Sequence, residues 1–175
     1  DGSTEMIRKE FPEAILVENN RNRGFAAANN QGLRMARGQR LLLLNPDTVI
    51  LEGAIDTMLS WLDEHPDVGC VGCQVWEDEQ TIQKTCFAEP RPWHVFLIEF
   101  GLQKMLPTNS VLGRPEYGDW DRKTERDVDV VSGMFMLVPR EVFDKVGLLD
   151  ESFFIYSEEV DWCRRIRDAG YRCVF

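Results

Sequence analysis

The sequence lacks any excess of positive charge: 30 Asp and Glu against 20 Lys and Arg give a formal net charge of −10 over 175 residues. Proteins that bind nucleic acid need basic patches, which displace counterions from the phosphates. The charge balance therefore argues against a nucleic-acid partner. It leaves a nucleotide ligand open, because one metal ion offsets the charge of a diphosphate locally.

Apolar runs long enough to span a bilayer and a signal-peptide pattern are also missing, so neither a membrane-spanning helix nor secretion is expected. The five cysteines are an odd number without a disulfide-framework spacing, which favours a reducing, cytoplasmic compartment. Cys70 and Cys73 fall in an expected strand, where residues three apart face opposite sides. We expect buried free thiols there. His65 and His94 have no partner at metal-ligand spacing.

Apolar runs do alternate with amphipathic stretches along the chain, and hydrophobic residues make up 43% of it, enough for one domain with a core. The pattern predicts buried strands at residues 14–17, 41–44, 68–75, 128–138 and 171–175. It predicts helices at residues 4–10, 25–37, 53–65, 139–146 and 158–169, the last with Ser157 as N-cap. This order predicts one α/β domain over residues 1–175, with ligands beyond the carboxyl ends of its central parallel strands.

Residues 77–127 show a weaker pattern. Trp93, Phe96, Leu97 and Phe100 fall on one helical stripe within residues 92–106, and residues 107–126 are polar and irregular. Because few basic residues lie near the stripe, a core or dimer helix is favoured over a helix on a membrane surface.

The first candidate site is Asn45-Pro46-Asp47, directly after the predicted strand at 41–44. A carboxylate at the end of a parallel strand can reach a divalent cation, which prefers oxygen ligands. Asn-Pro-Asp-Thr is equally typical of a plain turn. The spacing alone leaves these two interpretations balanced.

The second candidate is acidic: Glu158, Glu159 and Asp161 occupy the first turn of a predicted helix, directly after an aromatic run. The helix dipole favours acid at this place, and Asp161 with Arg165 has the spacing of an ordinary surface pair. Carboxylates beside aromatic surface and beside each other acquire the raised pKa that a general base needs.

A third segment, residues 20–32, combines small residues with a predicted helix start, where a phosphate group would be attracted. A loop followed by an alanine-rich packing helix explains the same residues. Taken without context, the packing interpretation is favoured.

Taken together, the ordered segments resemble the family 2 glycosyltransferases, in particular a bacterial rhamnosyltransferase-like branch. The resemblance rests on NRGFAAANNQG at 22–32, LLNPDT at 43–48, Ser132-Gly133, and VGLLDESFFIYSEEVD at 146–161. It covers most of the chain except about residues 77–127. It implies a GT-A fold, with a mixed, mainly parallel sheet flanked by helices, and inverting transfer of a sugar from a nucleoside diphosphate.

The resemblance also implies roles for individual residues. Asp47 matches the metal-binding acid of the family's DxD-type motif, with Asn45 in place of its first acid, and Mg²⁺ or Mn²⁺ as cofactor. Glu159 matches the catalytic base, which is usually aspartate, and leaves Glu158 and Asp161 as alternatives. The implied donor-binding residues are Asn22, Arg23, Gly24, Asn30, Asn45, Asp47 and Gly133, where the glycine would let a sugar approach the backbone.

The resemblance suggests dTDP-rhamnose as donor and a glycan or lipid-linked acceptor in cell-surface polysaccharide synthesis. A cytoplasmic enzyme at the inner face of the membrane, with peripheral membrane association or homo-oligomers, would fit such an acceptor. Asp1-Gly2-Ser3 matches the turn after the family's second strand, so we expect a chain that lacks the first strand and the C-terminal part. A nucleotidylyltransferase and a non-enzymatic sugar-nucleotide-binding or assembly module are the competing interpretations.

Overall fold

The structure is a computed structural model that describes residues 2–105, 108–109 and 111–175. Asp1, the first residue of the expected turn, and Leu106, the last of the expected aromatic helix, lie outside the described residues, as do Pro107 and Ser110. The helices are α1 (Ser3–Glu10), α2 (Phe25–Met35), α3 (Ala54–Glu64), α4 (Pro92–Glu99), α5 (Leu102–Met105), α6 (Arg140–Val146) and α7 (Glu158–Asp168), with a 3₁₀ turn at Arg114–Glu116. The strands are β1 (Arg40–Leu44), β2 (Val68–Val71), β3 (Cys86–Phe87), β4 (Val130–Val131), β5 (Phe135–Pro139) and β6 (Arg172–Val174).

The main sheet has four strands in the order β1-β5-β2-β6. β5 runs antiparallel to both of its neighbours, with Leu42 opposite Leu137, while β2 and β6 are parallel. Three of the four strands therefore point the same way, which confirms a mixed, mainly parallel sheet. All five β5 residues are buried, as expected for a strand covered on both faces.

Helices cover both faces of this sheet, each over its own apolar cluster. On one face Leu41 and Leu43 pack with Leu33 of α2, Val142 of α6 and Trp162 of α7. On the other face Leu62 of α3 packs with Leu137 and other residues of the central strands. Successive side chains of β1 thus point alternately into the two apolar clusters. A sheet with helices on both faces confirms the α/β class.

Two predicted strands differ in the structure. Residues 14–17 form no strand, and Ile15 is 74% exposed. A short apolar run becomes a strand only when a neighbouring strand takes its backbone hydrogen bonds, and in the described part of the chain no strand pairs with these residues. The strand predicted at 68–75 ends at Val71, because Val75 instead accepts a hydrogen bond from the Gln83 amide in a hairpin.

The strand predicted at 128–138 is split by a turn at 132–134. Val131, before the turn, pairs with Cys86 in a separate two-stranded sheet, whereas Phe135, after it, pairs with Leu44 in the main sheet. The apolar run at 128–138 is continuous in the sequence. In the structure it forms two strands, because its two halves pair with strands of different sheets.

The aromatic stripe of α4 is a helix, as predicted, but it is not a core helix. Only Leu97 is fully buried, whereas Trp93, Phe96 and Phe100 are 52%, 42% and 69% exposed and stack on one another. The core interpretation is therefore wrong for these three exposed rings, and the dimer interpretation stays a prediction. Within the described ranges, no helix is both long and apolar enough to cross a bilayer.

Candidate functional site

The acidic turn, residues 45–48, directly follows β1 and is closed by hydrogen bonds between Thr48 and Asn45. The carbonyl oxygen of Asn45 accepts hydrogen bonds from the amide and the hydroxyl of Thr48, at 3.3 and 2.7 Å. The turn holds Asp47 exposed at the carboxyl end of the strand. The two interpretations of this segment are therefore compatible, because the turn is what presents the carboxylate.

The Asp47 carboxylate has no hydrogen bond or ion pair with any residue that the structure describes. In the same described ranges, no group of three His, Cys, Asp or Glu side chains is arranged to hold a metal ion. One carboxylate, completed by phosphate oxygens and water, is a common arrangement for Mg²⁺. The donor set thus fits a cation that arrives with a diphosphate rather than one held by the protein alone.

The loop before α2 is built around Gly24. The Asn22 side-chain oxygen accepts a hydrogen bond from the Gly24 amide at 2.9 Å, and the Phe25 amide donates to the carbonyl of Phe154 at 2.9 Å. Gly24 has φ +84°, and a Cβ there would lie 2.2 Å from the Phe154 oxygen. Arg23 is exposed at the helix start, where its charge can face a ligand.

Gly133 has a packing role. A Cβ at this position would lie 2.7 Å from the ring of Phe25. The Phe25 ring therefore fills the space in the direction of this Cβ, and the expected approach of a sugar to the Gly133 backbone stays a prediction.

The side chain of Asn30 joins α2 to the loop after α6. Its side chain is completely buried and bonds to the amide and the carbonyl of Leu149, at 3.0 and 2.8 Å, and to Glu151 at 3.0 Å. The bond from Asn30, and then that from Arg34, hold the pKa of the Glu151 carboxyl below its usual value. These bonds give Asn30 a structural role, and its assignment to the donor site stays a prediction from the sequence.

Backbone strain marks the entry to α7. Tyr156 and Ser157 have φ values of +67° and +78°, a region that residues other than glycine rarely adopt. Ser157 is the N-cap, as predicted, but its side chain makes no capping hydrogen bond, since its backbone is not in the usual extended conformation. Two consecutive residues of this kind persist only where the surroundings impose them, which is common at functional sites.

The two carboxylates that follow differ in exposure. Glu158 is 2% exposed, and its Oε2 atom has no hydrogen-bond partner among the described residues. Glu159 is half-buried, and its pKa is raised, mainly by burial and further by the charge of Glu158. A carboxyl with a raised pKa that still reaches solvent has the property expected of a general base.

Asp161 is held in an ion pair. Its Oδ2 atom lies 2.7 Å from Nη2 of Arg165, and the same guanidinium donates to the carbonyls of Val146 and Leu148 at 2.6 and 2.8 Å. Asp161 therefore orients Arg165 against the loop after α6. This ion pair gives Asp161 a structural role, and its place among the candidate bases stays a prediction.

One turn, at residues 132–134, joins the separate motifs. The Met134 carbonyl accepts a hydrogen bond from Asn45 at 3.0 Å, and Gly133 packs against Phe25. The Val131 amide, just before the turn, donates to Sγ of Cys163 at 3.5 Å. Cys163 follows Glu159 by one helical turn, so Glu159 shares the α7 face that packs towards this segment.

Sequence reasoning missed a group of residues after β2. A cavity of about 450 Å³ lies beside the acidic turn, and its lining includes Asp47, Gln74, Trp76, Glu77 and Gln83. Trp76 is 43% exposed although it lies in a polar, irregular segment. A large aromatic residue among polar neighbours, without helical or strand periodicity, was the signal available in the sequence.

The family model described as "Glycosyl transferase family 2" matches residues 1–147. The N-acetylglucosaminyl-diphospho-decaprenol L-rhamnosyltransferase of Mycobacterium tuberculosis is 26% identical over 192 residues, covering 100% of this chain and 60% of that protein. The rhamnosyltransferase WbbL of Escherichia coli is 25% identical over 159 residues, covering 85% and 56%. The chain thus spans little more than half the length of these two relatives.

Among solved structures, the mannosyltransferase PcManGT of Pyrobaculum calidifontis, in complex with GDP-Man and Mn²⁺, superposes with a TM-score of 0.60. The match covers 99% of this chain and 41% of that chain, at 21% sequence identity. At this identity the likeness shows the fold alone, and that fold is GT-A.

Proposed function

The chain belongs to glycosyl transferase family 2, and we propose that residues 1–175 form one GT-A domain of a metal-dependent, inverting enzyme. It transfers a sugar from a nucleoside diphosphate to a hydroxyl of a glycan or a lipid-linked acceptor. The observation that carries this proposal is that three motifs contact residues 131–134: the turn of Asp47 through Met134, the loop of Gly24 through Gly133, and the helix of Glu159 through Val131 and Cys163.

The donor diphosphate is assigned to the Asp47 side of the site. When bound, Mg²⁺ or Mn²⁺ would supply the positive charge that stabilises the leaving diphosphate. Asp47 would hold that cation, Asn45 would shape the turn, and Asn22, Arg23 and Gly24 would line the donor site at the start of α2. The names of the two rhamnosyltransferase relatives make dTDP-rhamnose the first donor to test.

Glu159 is assigned as the base. An acceptor hydroxyl attacks the anomeric carbon from the face opposite the diphosphate, the bond from that carbon to the diphosphate oxygen breaks, and the hydroxyl proton passes to the Glu159 carboxylate. A single displacement of this kind inverts the configuration. Burial, which raises the pKa of Glu159, makes its carboxylate a stronger proton acceptor. Glu158 has the same chemistry but is buried, so it is the second candidate.

Two alternatives to this enzyme were open from the sequence: a nucleotidylyltransferase and a non-enzymatic sugar-nucleotide-binding or assembly module. Membership of family 2 argues against a nucleotidylyltransferase. A non-enzymatic sugar-nucleotide-binding module would keep donor binding and lack chemistry. Metal-dependent hydrolysis of the donor sugar by the full-length protein therefore separates this module from the enzyme.

The position in the cell follows from the proposed acceptor. A lipid-linked acceptor would place the enzyme at the cytoplasmic face of the membrane. The exposed rings of Trp93, Phe96 and Phe100 offer an apolar surface for either lipid or a second copy of the chain. Vesicle sedimentation of the full-length protein tests for lipid binding, and light scattering tests for self-association. The double substitution Phe96→Ser and Phe100→Ser should abolish the interaction that the wild type shows.

Calorimetric titration of the full-length protein with a panel of nucleoside diphosphates, with and without Mn²⁺, tests the donor site. We expect binding that requires the metal and that falls at least about tenfold in Asp47→Ala. Asp56→Ala, which removes an exposed acid from the first turn of α3, is the matched control and should bind normally. Metal-dependent binding that survives Asp47→Ala would contradict the role of Asp47.

A further inference from the structure

The cavity beside Asp47 lies between three parts of the molecule. The acidic turn and the residues after it form one wall, the start of β5 forms the floor, and residues 73–77 with Gln83 form the other wall. Val49 and Leu51 stand at the opening with exposed fractions of 87% and 64%. A space of about 450 Å³ with one apolar and one polar wall is suited to a small organic ring.

Trp76 is fixed in this wall by a short hairpin. It pairs with Ile82 in an isolated antiparallel bridge, flanked by hydrogen bonds from Gln83 to Val75 at 2.7 Å and from Glu77 to Thr81 at 2.9 Å. The hairpin turn is closed by Asp78, which accepts hydrogen bonds from the amides of residues 80 and 81. The hairpin therefore fixes the backbone of Trp76, while its indole belongs to neither of the two apolar clusters.

Both sides of the Trp76 region are open. The residue also lines a second cavity, of about 480 Å³, which extends towards Trp61 and Phe175. An indole that is 43% exposed between two cavities contributes less to the core than a buried one would. Its geometry instead presents a flat apolar face to a ligand, over which the C–H groups of a sugar ring can stack against the electron-rich ring.

The described lining of the cavity offers no positive charge to a phosphate group. The lining residues that the structure describes include two acids, Asp47 and Glu77, and no lysine, arginine or histidine. Gln74 is fixed by a hydrogen bond to the Arg122 carbonyl at 2.5 Å, and Gln83 is half-buried at the cavity wall. Amides and carboxylates beside an aromatic face suit the hydroxyl groups of a neutral sugar.

The cavity also lies next to the segment that carries the proposed chemistry. Met134 lines it, and Met134 belongs to the turn towards which the Glu159 face of α7 packs. Asp47 stands at its edge, on the side assigned to the donor. A ring in the cavity would lie beside the carboxylate assigned to the donor and beside Met134 of the 132–134 turn.

We propose that this cavity binds the sugar ring of the acceptor, with Trp76 as its stacking surface and Gln83 as a hydrogen-bonding partner. The inference rests on the proposed transferase function and adds the place and the chemical class of the acceptor. It makes Trp76 a residue that determines acceptor affinity and leaves donor affinity unchanged.

Saturation-transfer NMR on the full-length protein, loaded with a nucleoside diphosphate and Mn²⁺, tests this directly. The probes are methyl hexopyranosides, with methyl N-acetylglucosaminide among them. We expect saturation of ring C–H protons in the wild type and affinity about tenfold weaker in Trp76→Ala, as for a lost aromatic contact. Trp76→Phe should restore most of the affinity, since it keeps an aromatic face.

Phe11→Ala is the matched control, because Phe11 is an aromatic residue that is 50% exposed and lies at the end of α1, outside the cavity. It should bind the glycosides as the wild type does, and circular dichroism should show both alanine variants folded. Equal glycoside binding by Trp76→Ala and wild type, or no glycoside binding by wild type, would overturn the proposal.

Calorimetry with the nucleoside diphosphate sugar separates the acceptor from the donor sugar, which has the same ring chemistry. If Trp76→Ala weakens binding of the donor sugar and leaves the glycosides unaffected, the cavity holds the donor and the proposal is wrong. Glycoside binding at Trp76 without any binding of nucleoside diphosphates would instead contradict the proposed function and leave a sugar site standing.

Discussion

The backbone amide of Phe25 donates a hydrogen bond to the carbonyl oxygen of Phe154 at 2.9 Å. The Phe25 ring lies against Gly133 at the same time. One residue thus ties the loop at the start of α2 to the aromatic run before α7 and to the 132–134 turn. The geometry of the candidate site depends on this tie, because no other hydrogen bond between described residues joins these three segments.

Replacing Gly24 by alanine should destabilise the protein. Its backbone, at φ +84° and ψ 169°, lies in a region that is essentially restricted to glycine, and the new Cβ would meet the Phe154 carbonyl at 2.2 Å. We expect a loss of about 2 kcal/mol or more in unfolding free energy, measured by urea denaturation.

Gly32→Ala is the matched control in the same part of the chain. Gly32 lies within α2, and a Cβ there would have open space. Alanine should be neutral or stabilise by about 0.5–1 kcal/mol, as in other helix interiors. Equal effects of the two substitutions would mean that the close contact of Gly24 with Phe154 does not exist in solution.

Asn30→Ala should reduce stability and leave the intrinsic donor affinity of the folded protein unchanged. The substitution leaves the buried amide of Leu149 without its acceptor, which costs about 1–3 kcal/mol. A lower melting temperature together with unaltered nucleoside-diphosphate affinity below the transition is the expected result. Gln31→Ala, which removes only an exposed side-chain pair with Asn19, should stay within about 0.5 kcal/mol of wild type.

Glu159→Gln should keep donor binding and lose transfer. Glutamine has the shape of glutamate but takes up no proton, so the turnover number should fall about 100-fold or more. The measurements are calorimetry for the donor and product formation for transfer. Normal transfer by this variant would place the base elsewhere, and Glu158→Gln would then be the variant to assay.

The pH dependence of turnover should report the raised pKa of Glu159. The carboxylate form is the proton acceptor, so turnover falls as the pH drops through this raised pKa, at a higher pH than an ordinary glutamate would give. Glu158→Gln removes a neighbouring negative charge, which lowers the pKa of Glu159 and moves this acidic limb to lower pH. Because burial is the larger cause, the shift should be partial, and a limb that moves to higher pH would contradict the assignment.

The same shift has a consequence for stability. The folded-state pKa of Glu159 lies above its unfolded value, so the protonated form is favoured by folding. Stability from this group is present at low pH and is lost as the pH rises through the folded-state pKa. At pH 8, Glu159→Gln should therefore melt at a temperature equal to or above that of the wild type. Near pH 4, its melting temperature relative to the wild type should be lower than it is at pH 8.

Local patterns were sufficient wherever neighbouring residues alone decide the structure. The helices predicted at 53–65, 139–146 and 158–169 differ from the observed ends by one residue, because apolar periodicity and end signals are contained in the segment itself. The strand at 41–44 was found for the same reason, as was the exposed acid at its end. The predictions failed at 14–17 and 128–138, where strand formation depends on pairing partners that are distant in sequence.

The sequence by itself determined the α/β class, the family and the acids that belong to its motifs, since these follow from residue type, order and spacing. Only the tertiary structure decided which of those residues are available to a ligand. It buried Asn30 in bonds to Leu149, gave the space over Gly133 to Phe25, and paired Asp161 with Arg165. It left Asp47 and Glu159 as accessible carboxylates and exposed Trp76 beside a cavity. Burial and partnership are set by contacts between distant segments, which no local pattern contains.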